Sequence, residues 1–309
     1  MSNNALTVEN LNKIYSNSKT KKETKAITDL NFEVKEGEVF GLLGPNGAGK
    51  TTFLSILGGT VTKTSGNVNV WGFDIDKNPR QVKASIGIVP QEVNLDAFFS
   101  PKQLLELQAG LYGIAKRDRI TDLILQMVSL EGKANAYSRS LSGGMKRRLL
   151  IAKAMVHQPP ILILDEPTAG VDVELRKNLW KNVKELNNSG VTIILTTHYL
   201  FEAEQMCDRI AILNKGNFVA LDTPDKLLEK IRFKKIKLKI ENLDSTANLE
   251  INGLRILDKT NDILTVSYEK NKYNFNMLLR DLDKKKLKIQ DISTDDGDLE
   301  EVFVQLTKN

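Results

Sequence analysis

The run Gly44-Pro45-Asn46-Gly47-Ala48-Gly49-Lys50-Thr51-Thr52 carries the densest chemistry in this chain. Gly, four residues, Gly, Lys, Thr is the spacing of a loop that cradles phosphate. Its glycines let backbone N–H groups turn inward around an anion. The helix that follows aims its positive end at the same point. Lys50 supplies a point charge for β- and γ-phosphate oxygens, and the Thr51 hydroxyl can ligate Mg²⁺. The loop follows the apolar run Val39-Phe40-Gly41-Leu42-Leu43 and precedes a helical pattern from Phe53. Strand, loop and helix form the context that such a motif requires.

Other polar residues stand just beyond further strand patterns. Gln91 follows Ser85 to Pro90, Asp165 and Glu166 close Ile161-Leu162-Ile163-Leu164, and His198 ends Val191 to Thr197. The two latter runs have the composition of strands buried on both faces of a parallel sheet. Ligands bind such sheets at the carboxyl ends of their strands, so these residues are expected to converge on the phosphates. Asp165 suits the Mg²⁺ side, directly or through water, because Mg²⁺ prefers oxygen and keeps waters. Glu166 can orient or deprotonate an attacking water. Gln91 can bridge metal and water, and His198 can hydrogen-bond a γ-phosphate oxygen. Taken alone, His198 reads equally as a structural histidine, and His157 before Gln158-Pro159 reads as structural. Leu141-Ser142-Gly143-Gly144-Met145 is a second anion-binding pattern, small residues at a helix N-terminus. One nucleotide does not need two such caps from one chain, so a second copy could supply the other across an interface.

Taken in order, these motifs resemble those of the ABC-type ATPases, and the likeness spans residues 5–224. Gly44 to Thr52 is similar to the family's Walker A loop, Gln91 to its Q-loop and Ile161 to Glu166 to Walker B. Ala169-Gly170-Val171-Asp172 resembles the D-loop, and His198 the switch histidine. Leu141 to Met145 resembles the signature, with Met145 where Gln is commoner. The resemblance implies an α/β P-loop NTPase fold with a mixed sheet, an antiparallel β region and a helical subdomain at about 96–156. It implies ATP and Mg²⁺ as cofactors. Residues Gly44, Pro45, Asn46, Gly47, Ala48, Gly49, Lys50, Thr51 and Thr52 would hold the nucleotide. Tyr15 would stack on adenine, the alternative being a core tyrosine at a strand end. Thr51, Gln91 and Asp165 would serve the metal, and Lys50, Gln91, Glu166 and His198 hydrolysis. In a head-to-tail dimer, Ser142, Gly143 and Gly144 would meet the partner's nucleotide, and Asp172 belongs with the nucleotide-binding residues.

A finer resemblance is to stand-alone ATPase subunits of ABC-2 type exporters. It rests on His198-Tyr199-Leu200-Phe201-Glu202-Ala203-Glu204, Gln108 to Gly113, and Leu299-Glu300-Glu301-Val302-Phe303. Such subunits pair with a separate integral membrane permease at the cytoplasmic face of the cell membrane. Leu95, Phe98 and Phe99 after Gln91 then form a candidate docking surface, or else a piece of core. An alternative is a soluble ABC ATPase acting on nucleic acid or ribosomes. Those carry two cassettes or a long coiled coil, neither of which is seen, so no nucleic acid is expected. A non-catalytic phosphate-binding regulator is disfavoured by the complete set of Lys50, Asp165, Glu166 and His198.

The elements that position these groups can be read by period. Leu6 to Tyr15 and Ala26 to Val34 read as strands, with a lysine-rich loop from Ser16 to Lys25 between them. Thr64 to Asn67 reads as a turn before the strand Val68 to Trp71. Pro101 to about Val128 turns helical, as does the stretch from Met145, where Lys146, Arg147 and Arg148 lie beside the apolar face. Val173 to Asn187 is a helix with Gly190 at its C-cap, and Ile210 to Leu221 is a hairpin. After Thr223-Pro224 the character changes, and 225–309 reads as a small α+β accessory domain beside the ATP-binding domain at 1–224. Its strands are Lys235 to Ile240, Leu254 to Leu257, Ile263 to Tyr268 and Leu287 to Ile289. Its helices are Phe275 to Leu282 and Leu299 to Leu306. The basic strand at 232–239 and the acidic stretch at 291–301 read as solvated faces.

The 309 residues, 41% hydrophobic and 27% charged, are ordinary for a globular chain. A net charge of +5 suits an anionic ligand or membrane surface without demanding nucleic acid. The single cysteine, Cys207, excludes an internal disulfide, fits a reducing compartment and reads as a buried thiol. The opening residues do not read as a signal peptide. No apolar run approaches the roughly 20 residues needed to span a bilayer.

Overall fold

The computed structural model describes residues 3–16, 22–171, 173–231, 233–241, 253–260, 262–270, 272–285, 287–295 and 298–307, with the side chains of Leu175 and Asp295 excepted. The chain divides into two compact units, 1–223 and 224–309.

The first unit opens with two long antiparallel strands, β1 (Asn4–Ser16) and β2 (Glu23–Lys35). Next, β3 (Val39–Leu43) runs through the glycine-rich loop into α1 (Lys50–Leu57). The strands β4 (Ser65–Val70) and β5 (Phe73–Asp74) complete an antiparallel sheet ordered β2-β1-β4-β5. Then α2 (Pro79–Ser85) leads into β6 (Ile86–Val89). Three α-helices follow with no strand between them: α3 (Pro101–Leu111), α4 (Thr121–Met127) and α5 (Gly143–Met155). The chain returns as β7 (Ile161–Asp165), α6 (Val173–Asn188), β8 (Thr192–Thr196) and α7 (Leu200–Met206). The hairpin β9 (Arg209–Asn214) and β10 (Asn217–Asp222) closes the unit.

A second sheet is ordered β10-β9-β3-β8-β7-β6 and is parallel except for β10. Every residue of β3 and β8 is buried, as a strand covered on both faces requires. Helix α1 joins the two sheets. Its Phe53, Leu54, Ile56 and Leu57 share one core with Val68 and Val70 of β4 and with Ile161, Ile163 and Ile194 of the parallel strands. Phe32 of β2 stacks on Phe40 at 5.4 Å and meets Phe53 at 5.5 Å, so aromatic packing ties both sheets to the helix.

Several boundaries differ from the sequence reading. The ladder Ile14↔Lys25, Tyr15↔Thr24, Ser16↔Glu23 extends the strands into the expected lysine-rich loop, because backbone pairing there is indifferent to polar side chains. Of that loop, 17–21 lie outside the described residues. The expected turn at Thr64–Asn67 is instead the start of β4, held by pairing of Ser65 with Asn12 and Asn67 with Glu9. The helical region breaks into α3 and α4, and Leu107, Leu111, Leu123 and Met127 are exposed while Leu104, Leu105, Ile124 and Val128 are buried. Ser100 caps α3 reciprocally with Gln103 before Pro101, a capping box.

The second unit contains α8 (Pro224–Leu228), β11 (Phe233–Ile240), β12 (Arg255–Thr260) and β13 (Ile263–Glu269), then α9 (Phe275–Lys284), β14 (Ile289–Asp295) and α10 (Leu299–Thr307). Its antiparallel sheet is ordered β12-β13-β11-β14. Along β11, Ile236, Leu238 and Ile240 are buried and Lys237 and Lys239 exposed, the alternation of a sheet with one wet face. The last strand begins at Ile289 instead of Leu287, because pairing of Ile289 to Asp295 with β11 carries it into the acidic stretch. Arg232 lies outside the described residues.

Strand β6 lies directly against α5: a Cβ on Gly87 would sit 2.4 Å from the Ala154 carbonyl oxygen. Gly87→Ala is therefore expected to destabilise the protein by about 2 kcal/mol through overpacking. That corresponds to a melting midpoint lower by about 4–8 °C. An unchanged melting curve would contradict this contact.

Candidate functional site

The phosphate loop is held from behind by backbone. Gly49 adopts φ +115°, and a Cβ there would lie 2.5 Å from the Ala26 carbonyl oxygen of β2. Only glycine satisfies both the left-handed conformation and that approach. The Gly216 N–H at the β9–β10 hairpin tip donates to the Ala48 carbonyl at 2.9 Å, and the Thr28 N–H donates to the Gly216 carbonyl at 2.8 Å. Gly44 and Ala48 are buried, whereas Pro45, Asn46, Gly47 and Thr51 are exposed and Thr52 is half-buried. Gly49 offers no side-chain cap to α1, and no acid occupies its first turn. The first N–H groups of α1 are thus left to an external acceptor. Lys50 is buried, and its Nζ donates to the carbonyls of Gly44 at 2.5 Å and Pro45 at 3.3 Å. Burial holds the Lys50 pKa below the usual lysine value, with Glu166 and Asp165 pulling the other way. Tyr15 is 41% exposed with Lys13 Nζ 4.7 Å above its ring, so it is not a core tyrosine.

The parallel register brings the other groups into line. Val89 pairs with Leu164, Leu164 with Leu195, and Asp165 with Thr196. Glu166 follows with φ +45°, a left-handed conformation that costs a non-glycine residue about 1 kcal/mol or more. This turn sets the Glu166 carboxylate between two neighbours. Gln91 Nε2 donates to Glu166 Oε2 at 3.0 Å, and His198 Nδ1 lies 3.1 Å from the same oxygen. Thr196 holds both acids: its hydroxyl donates to Asp165 Oδ1 at 2.6 Å and accepts from the Glu166 N–H at 3.1 Å. Lys50, Gln91, Asp165, Glu166 and His198 therefore meet at one sheet edge.

Ser142 caps α5, accepting from the Met145 N–H at 3.3 Å. Ser142 and Gly143 are exposed and Gly144 is buried. Among the described residues, none of the three hydrogen-bonds to the Glu166 cluster. Asp172 lies outside the described residues.

Three features were not visible in the sequence. Thr196 looked like one more β-branched strand residue. Arg147, expected beside the apolar face, is instead 4% exposed and donates to backbone carbonyls after β6. Helix geometry turns it inward, because the space it fills is made by a distant segment. Glu202 of α7 is buried, accepts from Thr168 Oγ1 at 2.7 Å and faces Arg176 Nε at 3.1 Å. Arg176 lies over the Tyr199 ring at 4.6 Å. This cluster braces the segments after Glu166 and around His198. His157 is structural, stacked on Tyr112 at 3.8 Å with its pKa lowered by burial. Cys207 is buried, which pushes its thiol pKa well up.

A loop with a buried lysine, an uncapped helix start and a cluster of oriented carboxylates can bind a nucleotide's phosphates and direct water at them. The chain is also similar to known proteins. The family described as ABC transporter matches residues 27–169. The linearmycin resistance ATP-binding protein LnrL of Bacillus subtilis is 40% identical over 229 residues, 73% of this chain and 71% of that one. The Nod factor export ATP-binding protein I of Cupriavidus pinatubonensis is 40% identical over 209 residues, 67% of this chain and 64% of that one. Among solved structures, the ATP-binding cassette MJ0796, dimeric in a post-hydrolysis state bound to ADP and Pi, superimposes with a TM-score of 0.61 at 28% identity. It covers 71% of this chain and 98% of that one. The chain belongs to the ABC transporter family. It is an ATP-binding subunit with the fold of the ABC ATPase cassettes, and its activity is ATP hydrolysis. Among the described residues no helix is long and apolar enough to cross a membrane.

Thr196→Val keeps shape but removes the hydroxyl shared by Asp165 and the Glu166 N–H. Turnover is expected to fall about tenfold, with a loss of about 1–2 kcal/mol in stability. Wild-type kcat in a phosphate-release assay would sink this role.

Proposed function

We propose that this chain is the ATP-hydrolysing subunit of a membrane exporter, working as a head-to-tail pair on a separate permease. The observation that carries the reading is the Glu166 carboxylate, bound on one oxygen by Gln91 and His198 and set beside Lys50. In this reading Gly44 to Thr52 hold the phosphates, Tyr15 stacks on adenine, and Glu166 accepts a proton from the attacking water. His198 has Nδ1 turned to Glu166, which leaves Nε2 for the γ-phosphate. Gln91 gives its amide nitrogen to Glu166, which leaves its carbonyl oxygen for Mg²⁺. With the exposed Thr51 hydroxyl and Asp165, this is the all-oxygen donor set that a hard cation takes. When bound, Mg²⁺ would neutralise phosphate charge.

Ser142, Gly143, Gly144 and Asp172 would complete the site of a second copy. The dimeric MJ0796 cassette supports this pairing. Residues 1–224 would be the ATP-binding domain, with 96–156 its moving helical subdomain and 225–309 an accessory domain. The export reading is supported by the names of the relatives, linearmycin resistance and Nod factor export ATP-binding proteins. A permease at the cytoplasmic membrane face would dock on the segment after Gln91. There Phe98 is 73% exposed and Phe99 is also exposed, whereas Leu95 is half-buried; Val93, not among the expected residues, is exposed as well.

Glu166→Gln tests the core of this reading. It is expected to bind ATP, lower turnover by about a hundredfold or more and accumulate as an ATP-dependent dimer in size-exclusion chromatography. Normal turnover would remove Glu166 from the role of base. Phe98→Glu is expected to abolish co-purification of the permease, and an intact complex would count against this docking surface.

A further inference from the structure

The Arg147 guanidinium is an unexplained buried charge. It is 4% exposed, and among the described residues no carboxylate pairs with it. A buried charge without a carboxylate must be met by hydrogen bonds or it destabilises the fold. Here Nη1 donates to two consecutive carbonyls, Pro90 at 3.0 Å and Gln91 at 2.7 Å. Burial pulls its pKa below the usual arginine value.

Those carbonyls belong to a segment that needs holding. The β6–β7 ladder stops at Val89 and α3 starts at Pro101, so Pro90 and Gln91 lie between regular elements. The same Gln91 donates its side-chain amide to Glu166 Oε2 at 3.0 Å. At its other end, Arg147 sits five residues beyond Ser142 on one rigid helix, about 7–8 Å along its axis. A displacement of the α5 start must therefore reach the Pro90–Gln91 backbone.

We infer that Arg147 is a positioning residue that joins the Ser142 end of α5 to the Gln91 backbone, and through the Gln91 amide to Glu166. It touches neither nucleotide nor water. It sets where Gln91 stands when the α5 start is occupied, so that nucleotide at one face of the chain is felt at Glu166 on the other. This rests on the reading of Gln91 and Glu166 as hydrolytic residues. The two bonds come from one planar donor, so lysine replaces them only in part.

The test is a double-mutant cycle on the full chain, with Arg147→Met, Gln91→Ala and the pair, plus Arg147→Lys. Phosphate release gives kcat and KM, and titration with a fluorescent ATP analogue gives affinity. Arg147→Met is expected to lower kcat about tenfold while affinity changes less than about twofold. Arg147→Lys should recover part of the loss. On the Gln91→Ala background, Arg147→Met should cost less than about twofold, because the residue through which it acts is already gone. A full tenfold loss on that background, or unchanged turnover in Arg147→Met alone, overturns the inference. If Arg147→Met fails to fold, by its melting curve, the same cycle run with Arg147→Lys decides in the same way. Unchanged turnover in Gln91→Ala would instead overturn the role of Gln91 itself, and this inference with it. A Glu166→Gln variant that forms no dimer would strike the pairing of chains, and with it the occupant of the α5 start that Arg147 is assigned to relay.

Discussion

The Glu166 carboxylate receives Gln91 from the end of β6 and His198 from the end of β8, both on one oxygen. That arrangement exists only because β6, β7 and β8 are parallel neighbours whose ends fall at one edge. Parallel strands stand about 4.8 Å apart, so groups one or two residues beyond each end come within hydrogen-bonding reach. Beside the left-handed backbone at Glu166, its carboxylate meets Gln91 and His198 across that edge. A base must be oriented before it is useful, and in the proposed mechanism three strands share that task for Glu166.

The phosphate loop depends on a different kind of support. Its backbone is pressed between β2 and the tip of the β9–β10 hairpin, through Gly49 against Ala26 and Gly216 against Ala48. Helix α1 is locked between two sheets by Phe53 and its apolar neighbours. An uncapped helix start with a buried lysine is electrostatically unfavourable by itself. Packing of this strength keeps it in place, and an anion that enters relieves both the open N–H groups and the desolvated charge.

In the helical region from 96 to 156, Arg147 is 4% exposed and bonds the backbone just beyond β6. The region's exposed Leu107, Leu111 and Phe98 contrast with the sealed core of the parallel sheet. An apolar outer surface, with Arg147 bonded to the backbone at Pro90 and Gln91, suits the proposed role of this region as a part that moves against a partner.

Much of this was legible in the sequence because it is local. The spacing from Gly44 to Thr51 specifies a turn and a helix start within a few residues of itself. The unbroken runs Val39 to Leu43, Ile161 to Leu164 and Val191 to Thr197 announce strands that must be covered on both faces, so the polar residues at their ends could be assembled on paper. Ser142 could be placed at a helix start for the same reason. Other features were decided only by the tertiary structure, because burial depends on segments far away in the chain. Arg147 looks like one of three surface cations until β6 and the segment after it close over α5. Thr196 looks like packing until its hydroxyl meets Asp165, and nothing local marks Glu202 as the buried partner of Thr168 and Arg176. Conversely, Leu107 and Leu111 fit a helical stripe yet stay in solvent, since periodicity marks a face without saying what will cover it.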